Sequence, residues 1–565
     1  MSIYAPVPTG TSVADDVSGY LAVHHAAAPH LASRAGLHAF DGLAPDLSPG
    51  AIQRRIQSLV GWGRHLRAAH PAAAAWSASA PLATRDERDL ALVEYARGYE
   101  LFRWREWRQH ERDPRFYQSA IDVTHYIKRP YAPLLERLEA LARHLAAVPD
   151  VLAAARANLR RPLARAAIEQ AIHAYGALAA YYSDGLRAHC RALDVGLGAM
   201  ERVERALERA VAAIEGFVGD LREQLAEPAG DFRLGAATLA GMVAAGELLP
   251  VALERLRARA EADLAANRAR AEEVAGGLGM TLAQGFAALA PGQPEEPGIL
   301  SVAAAAIAGL RADLAASGAL DLEPFASAAC HVEQTPGTLG GSTAFMDAPG
   351  AFERLGLPAY FYITLPDPAW PTDVRAGWLA HLHPWGLRTS AAHEVLPGHL
   401  LQFATLARHP SPAARTFTSY AATEGWAHYA EQLVIEIGGV GAHPMAELAQ
   451  LRMALLRDCR VLAALELHAG AATVAEAAEL IARHTLLAPD ICRQAALRGT
   501  LDPGYLNYTL GKLQLLALRA DYQRQEGARG TLRHFHDALL GCGAPPIPLA
   551  RRMLLDAPVA VAAPS

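Results

Sequence analysis

Cysteine is scarce: Cys190, Cys330, Cys459, Cys492 and Cys542 are the only five in 565 residues, and no two form a Cys-x-x-Cys pair. That scatter excludes a disulfide framework and a thiolate metal site, and it reads as free thiols in a reducing compartment. Charge is also sparse, at 19% of residues with a net of -6, which leaves no electrostatic footprint for nucleic acid. The short arginine runs at Arg156 to Arg161 and Glu254 to Arg259 lie among acids and read as solvated helix faces. Long apolar runs are missing too, since stretches such as Ile299 to Leu310 stop well short of the roughly 18 to 20 residues of a membrane span. The opening Met-Ser-Ile-Tyr-Ala-Pro-Val-Pro has no basic segment followed by an apolar one, so a cytoplasmic location without a membrane partner is expected. The glycines of Gly337 to Gly341 form no Gly-x-Gly-x-x-Gly and have no P-loop lysine, which argues against phosphate binding. No repeat of fixed length is present, which argues against a solenoid.

What is present is a globular composition, 52% hydrophobic, in a chain long enough for two or more cores. From about Val13 to Leu289, Ala, Leu, Arg and Glu dominate. Apolar residues recur at three- and four-residue intervals in Leu134 to Ala147, Leu163 to Leu193 and Ala199 to Leu225, which predicts amphipathic helices packed as a bundle. Pro162 suits the first turn of the second of these. Trp104 and Trp107, three apart, read as the aromatic face of a docking helix. The segment Pro291 to Gly298, rich in Pro and Gly, divides a helical region, 1–290, from a region, 299–565, that carries the chemistry and ends in helices. After a helix over Leu300 to Ser317, the stretch Ala359 to Leu365 reads as a strand, with Gly337 to Phe345 as a second strand or turn of the same small sheet. The fold class expected is therefore mainly α with a small β-sheet.

The chemistry concentrates in Ser390-Ala-Ala-His393-Glu394-Val-Leu-Pro397-Gly398-His399-Leu-Leu-Gln402 and in Thr423-Glu424-Gly-Trp426-Ala-His428-Tyr429-Ala-Glu431. In the zinc pattern His-Glu-x-x-His, the two rings sit one turn apart on one helix face. Here they are six residues apart, and on a regular helix that aims them roughly 120° apart. The inserted Pro397-Gly398 offers a remedy, because Pro removes an amide donor and Gly accepts unusual backbone angles. A local bulge at this pair would bring His399 round to His393. Thr389 and Ser390 are the expected N-cap of this helix, with His381 and His383 in the loop before it. Glu424, 25 residues after His399, can return on a second helix to complete a His, His, Glu set with one open position, the ligand type of a catalytic zinc site.

These two segments, with Pro503-Gly504-Tyr505-Leu-Asn-Tyr508-Thr-Leu-Gly511-Lys512-Leu, resemble the bacterial family known as domain of unknown function 885. The resemblance implies a gluzincin-like zinc peptidase of carboxypeptidase or oligopeptidase type, a large helical fold with a deep cleft, a small sheet beside the zinc helix, and short peptides as substrate. In such peptidases an edge strand receives the substrate backbone, and Ala359 to Leu365 with Tyr360 and Tyr362 is the candidate for it.

On this reading His393, His399 and Glu424 hold Zn2+, and Glu394 is the base towards attacking water. Tyr508 and Tyr505 are candidate donors to the oxyanion. Lys512 and Arg519 could bind a substrate carboxylate. Glu431 could orient a ligand imidazole, and His428 either supports the site or replaces His399 as a ligand. Trp426 reads as core. Two other readings remain: a zinc amidase or esterase acting on a small metabolite, and an inactive helical binding or scaffold protein.

Overall fold

The computed structural model describes residues 12–71, 80–193, 197–227, 229–290, 296–326, 328–336 and 342–556. It is mainly helical. Three long helices, α1 (Leu134–Asn158), α2 (Arg165–Ala180) and α3 (Leu197–Gln224), interdigitate Leu141, Leu145, Leu152, Ala171, Leu207, Ile214 and Phe217 into one hydrophobic core. The expected helix over 163–193 is shorter, because its chain widens into a π-helical turn at Tyr181–Leu186. Pro162 precedes the helix in a cis peptide rather than lying in its first turn.

α4 (Leu253–Gly277) buries Leu256, Ala260 and Leu264 against residues beyond position 440, so one core draws on chain from both sides of the 291–298 stretch. Of that stretch, 291–295 lie outside the described residues, and α5 (Glu296–Ser317) begins within it. By length and composition, Gly298–Ser317 is apolar enough to cross a membrane, contrary to the expectation that no run comes near. In this fold its Ile299, Ala303, Leu310 and Leu314 point into the core instead.

Three strands follow: β1 (Cys330–Gln334), β2 (Ala344–Asp347) and β3 (Ala359–Ile363). β3 pairs in parallel with β1 and antiparallel with β2, so it is the central strand and not the edge that was expected to receive a substrate. β1 and β2 are the two edge strands. Residues 337–341 of the expected second strand lie outside the described residues. Ala359, Phe361 and Ile363 face the core, as the two-residue period of a strand requires. Over the opposite face, Lys128 lies 5.5 Å from the Tyr362 ring and Arg129 lies 5.6 Å from that of Tyr360. Asp347 binds both cations, at 3.1 and 2.9 Å.

Six further helices carry the site: α6 (Pro384–Glu394), α7 (His399–Ala407), α8 (Tyr420–Glu436), α9 (Pro444–His468), α10 (Pro489–Leu501) and α11 (Asn507–Glu526). α8 and α11 pack backbone to backbone. A Cβ on Gly425 would lie 2.5 Å from the Gly511 Cα, so only glycine permits that approach.

Candidate metal centre

The His-Glu-x-x-Pro-Gly-His segment forms a break between two helices rather than a bulge within one. α6 starts at Pro384, with the His383 Nδ1 accepting from the Gly386 amide, so Thr389 and Ser390 lie inside the helix and do not cap it. It ends at Glu394, the chain turns through a cis Leu396-Pro397 bond, and α7 starts afresh at His399. Restarting the helix frees the second imidazole from the 100° per residue that an unbroken helix would impose. Gly398 is required here, because a Cβ would come within 1.7 Å of the His393 carbonyl oxygen. Trp426 fixes the turn from α8 by donating its indole N–H to the Pro397 carbonyl at 3.0 Å.

The break brings His393, His399 and Glu424 together, with one ligand atom of each within 4.8 Å of the others. Glu424 Oε2 lies 3.4 Å from His393 Nε2 and 3.4 Å from His399 Nε2. A tetrahedral zinc with bonds of about 2.0–2.1 Å separates its ligand atoms by about 3.3–3.4 Å, so the spacing fits. That Oε2 is buried without a hydrogen-bond partner, as expected of an atom whose partner is a cation. Burial would pull His393 down, but Glu424 and Glu431 outweigh it and push it up to about 9. Glu424 is held well below the usual carboxylate range, since His399 and His393 overcome its burial.

Supporting groups hold these ligands. Glu431, with no exposed surface, lies 2.7 Å from His393 Nδ1 and 2.5 Å from an Arg457 nitrogen. A proton on Nδ1 directed at the carboxylate leaves the Nε2 lone pair free for a metal. His399 stacks on Phe403 at 5.4 Å. His428 is fully buried with both ring nitrogens unpartnered, 3.6 Å from Glu431. Burial first, then Lys512, lowers its pKa to about 3. It is not among the three convergent ligands, and that position belongs to His399. Glu394 accepts the Met346 amide of β2 at 2.9 Å, and burial raises its pKa, only partly opposed by His393 and His399.

The other expected site residues divide. Tyr508 stacks on His393, with ring centres 6.0 Å apart and 15° between the planes. Tyr505 is fully buried, and its hydroxyl packs over Gly499 away from the cluster. Lys512, 2% exposed, is committed to Asp263 of α4 at 2.7 Å, and Arg519 donates to Tyr429 and Glu436, each at 2.8 Å. Neither is free to hold a substrate carboxylate. Tyr360 and Tyr362 lie on the central strand under Arg129 and Lys128.

Sequence reasoning missed three arginines whose guanidinium groups surround the Tyr508 ring: Arg457 at 5.7 Å, Arg460 at 5.4 Å and Arg498 at 5.8 Å. It also missed Tyr420, which accepts from Arg498 and donates to Asp502, both at 3.0 Å. No motif marks them. Glu394, Glu424, Tyr420, Arg460 and Arg498 are partly exposed, whereas His393, His399 and Glu431 are buried. A separate cavity of about 560 Å³, lined by Tyr95, Tyr99, Trp104, Phe116 and Phe417 among others, contains none of the cluster residues.

Comparison with known proteins places the chain against a bacterial family of unknown function, DUF885, which matches residues 29–554. No curated protein matches it. The solved structures that share its fold include two that span nearly the whole chain. One is described as a "putative lipoprotein of unknown function" from Shewanella oneidensis, 20% identical, with a TM-score of 0.76, covering 96% of this chain and 100% of its own. The other is a "putative lipoprotein" from Colwellia psychrerythraea, 18% identical, with a TM-score of 0.71, covering 96% of this chain and 98% of its own. The cytoplasmic expectation draws no support from these neighbours.

Proposed function

The chain belongs to the DUF885 family of bacterial proteins, and from the geometry of its His393, His399 and Glu424 cluster we propose that it is a zinc-dependent hydrolase of short peptides, gluzincin-like in its ligand set and cleft. The observation that carries this reading is the convergence of three acceptor atoms, two of their separations 3.4 Å, on a point where no donor of the protein satisfies Glu424 Oε2. A divalent cation bound there supplies Lewis acidity towards the scissile carbonyl and an acidified water.

The chain's own residues supply the rest. Glu394 takes a proton from the attacking water and passes it to the leaving amine, and its raised pKa brings it towards the range in which both transfers are efficient. Tyr508, pushed up to about 12 chiefly by burial and then by Glu424, keeps its phenolic proton and can donate it to a developing oxyanion. The free edge of β2, whose Met346 amide touches Glu394, takes over from β3 as the strand that aligns an extended peptide. Glu431 and Arg457 orient His393.

The test is metal content together with hydrolysis. Protein purified in zinc-replete buffer is expected to hold close to one zinc per chain and to cleave members of a short-peptide library, with activity lost to chelator. Glu394→Gln is expected to keep the metal and lose about 10²- to 10⁴-fold in turnover, and His393→Ala to lose the metal. Protein that binds no zinc under these conditions would sink the proposal. Cleavage of simple esters or amides but not of peptides would move it to a small-metabolite hydrolase.

A further inference from the structure

We infer that Arg460 anchors the free C-terminal carboxylate of the substrate, which would make the protein exo-acting from that end. The inference rests on the hydrolase reading for the identity of the substrate, and on Arg460's own surroundings for the charge it selects.

Arg460 follows Arg457 by three residues on α9, so both reach the same side of the helix. Arg457 is neutralised by Glu431 at 2.5 Å, and Arg498 of α10 by Asp502 at 2.9 Å. Arg460 makes no ion pair or hydrogen bond among the described residues, and its Nε is buried without a partner. What faces it is Tyr508 at 5.4 Å and Tyr505 at 6.0 Å, with Arg457 and Arg498 nearby and no carboxylate. Burial and these neighbouring cations lower its pKa to about 10, so it remains charged at neutral pH. Arg55 and Arg388, by contrast, are matched, by Glu100 and by Asp313, each at 2.6 Å. A cation withdrawn from water without an anion is costly unless a ligand supplies one.

The position suits a carboxylate. Tyr508 is a spacer between metal centre and anchor, its ring 6.0 Å from that of His393 and 5.4 Å from the Arg460 guanidinium. An extended chain covers about 3.5 Å per residue, so one or two residues beyond the scissile carbonyl would bring a terminal carboxylate to Arg460. The planar guanidinium can meet both carboxylate oxygens at once. Lys512 and Arg519, the cations that sequence spacing favoured for this task, are already paired.

Binding tests this independently of turnover. In zinc-loaded full-length Glu394→Gln protein, calorimetry with N-acetyl-Ala-Ala-Phe and with its C-terminal amide should show the acid bound about 10- to 100-fold more tightly, the range of a charge-assisted pair. Adding Arg460→Gln should remove the preference at unchanged zinc content, and Arg460→Lys should restore part of it. Equal affinity for acid and amide with Arg460 in place would overturn the anchor even if wild type hydrolyses both. A preference that survives Arg460→Gln would also overturn it, because the carboxylate would then be held elsewhere. A preference that depends on Arg460 in a protein without hydrolytic activity would uphold the anchor and defeat the hydrolase reading.

Discussion

Two buried polar clusters draw on neighbouring residues of α9, Asp458 in one and Arg457 in the other, and they differ in how their charges are matched. Around Lys512, every acid has donors: its ammonium and Asn267 meet Asp263, while Asp458 accepts from Asn267 at 2.7 Å and from Thr509 at 2.8 Å. Burial, then the carboxylate of Asp263, raises Asp458, so the pair of acids does not leave two bare charges facing each other. Around Glu424, two imidazole nitrogens and a carboxylate oxygen converge with no donor among them unless a proton is added. The first cluster pairs its charges internally, whereas the second leaves acceptors facing one another. Burial and charge content alone would not separate them; the sign and direction of the atoms do.

The largest effect that tests this distinction is on stability. Lys512→Met leaves Asp263 buried without its counter-charge and is expected to cost about 3–5 kcal/mol in denaturant unfolding, with the zinc content of the folded protein unchanged. A variant as stable as wild type that had lost peptide affinity would break the comparison and return Lys512 to substrate binding.

The ligand set was legible because it is written in two short segments, and the helix-rich fold because its apolar period runs through long stretches free of breakers. What escaped depended on distant chain. Lys512 meets a partner 249 residues earlier, so helical spacing could not distinguish an anchor for substrate from a finished ion pair. Pro397-Gly398 announced a deformation. That it is a full break held by Trp426 follows from packing 29 residues later. β3 was identifiable as a strand, but its rank in the sheet depends on β1 and β2, and nothing within its own five residues says that both edges are taken. Arg460 lies in a helix buried on most sides and shows itself only by the absence of an acid around it.

Glu247 sharpens the comparison as a third kind of buried charge, with neither cation nor convergent ligands. It accepts the Ala421 amide at 3.2 Å at the start of α8, and burial pushes its pKa up to about 8. Between about pH 4.5 and 8 the folded chain therefore holds a proton that the unfolded chain has lost, and the stability this group contributes falls as pH rises through that window. Glu247→Gln should match wild type near pH 4 and exceed it at pH 8 by a few kcal/mol, as melts across the range would measure. A difference independent of pH would mean that Glu247 is charged in the fold and has a cationic partner after all.

The smallest expected effect decides to which cluster Glu431 belongs, since it touches a metal ligand and also forms a matched ion pair. If its task is to hold the His393 Nδ1 proton, Glu431→Gln should weaken zinc binding about 10- to 100-fold in competition with a chelator, the usual cost of losing such a partner. The amide can still accept from Nδ1 but no longer draws charge onto the imidazole, so the loss appears in affinity before stoichiometry. If its task is to neutralise Arg457, zinc affinity should hold and the melting temperature should fall instead, and restoring neutrality with Arg457→Met should recover it. Glu431 accepts from both partners through the same oxygen, Oε1, so removing its charge disturbs both contacts, and only the division of the effect between affinity and stability separates the two roles.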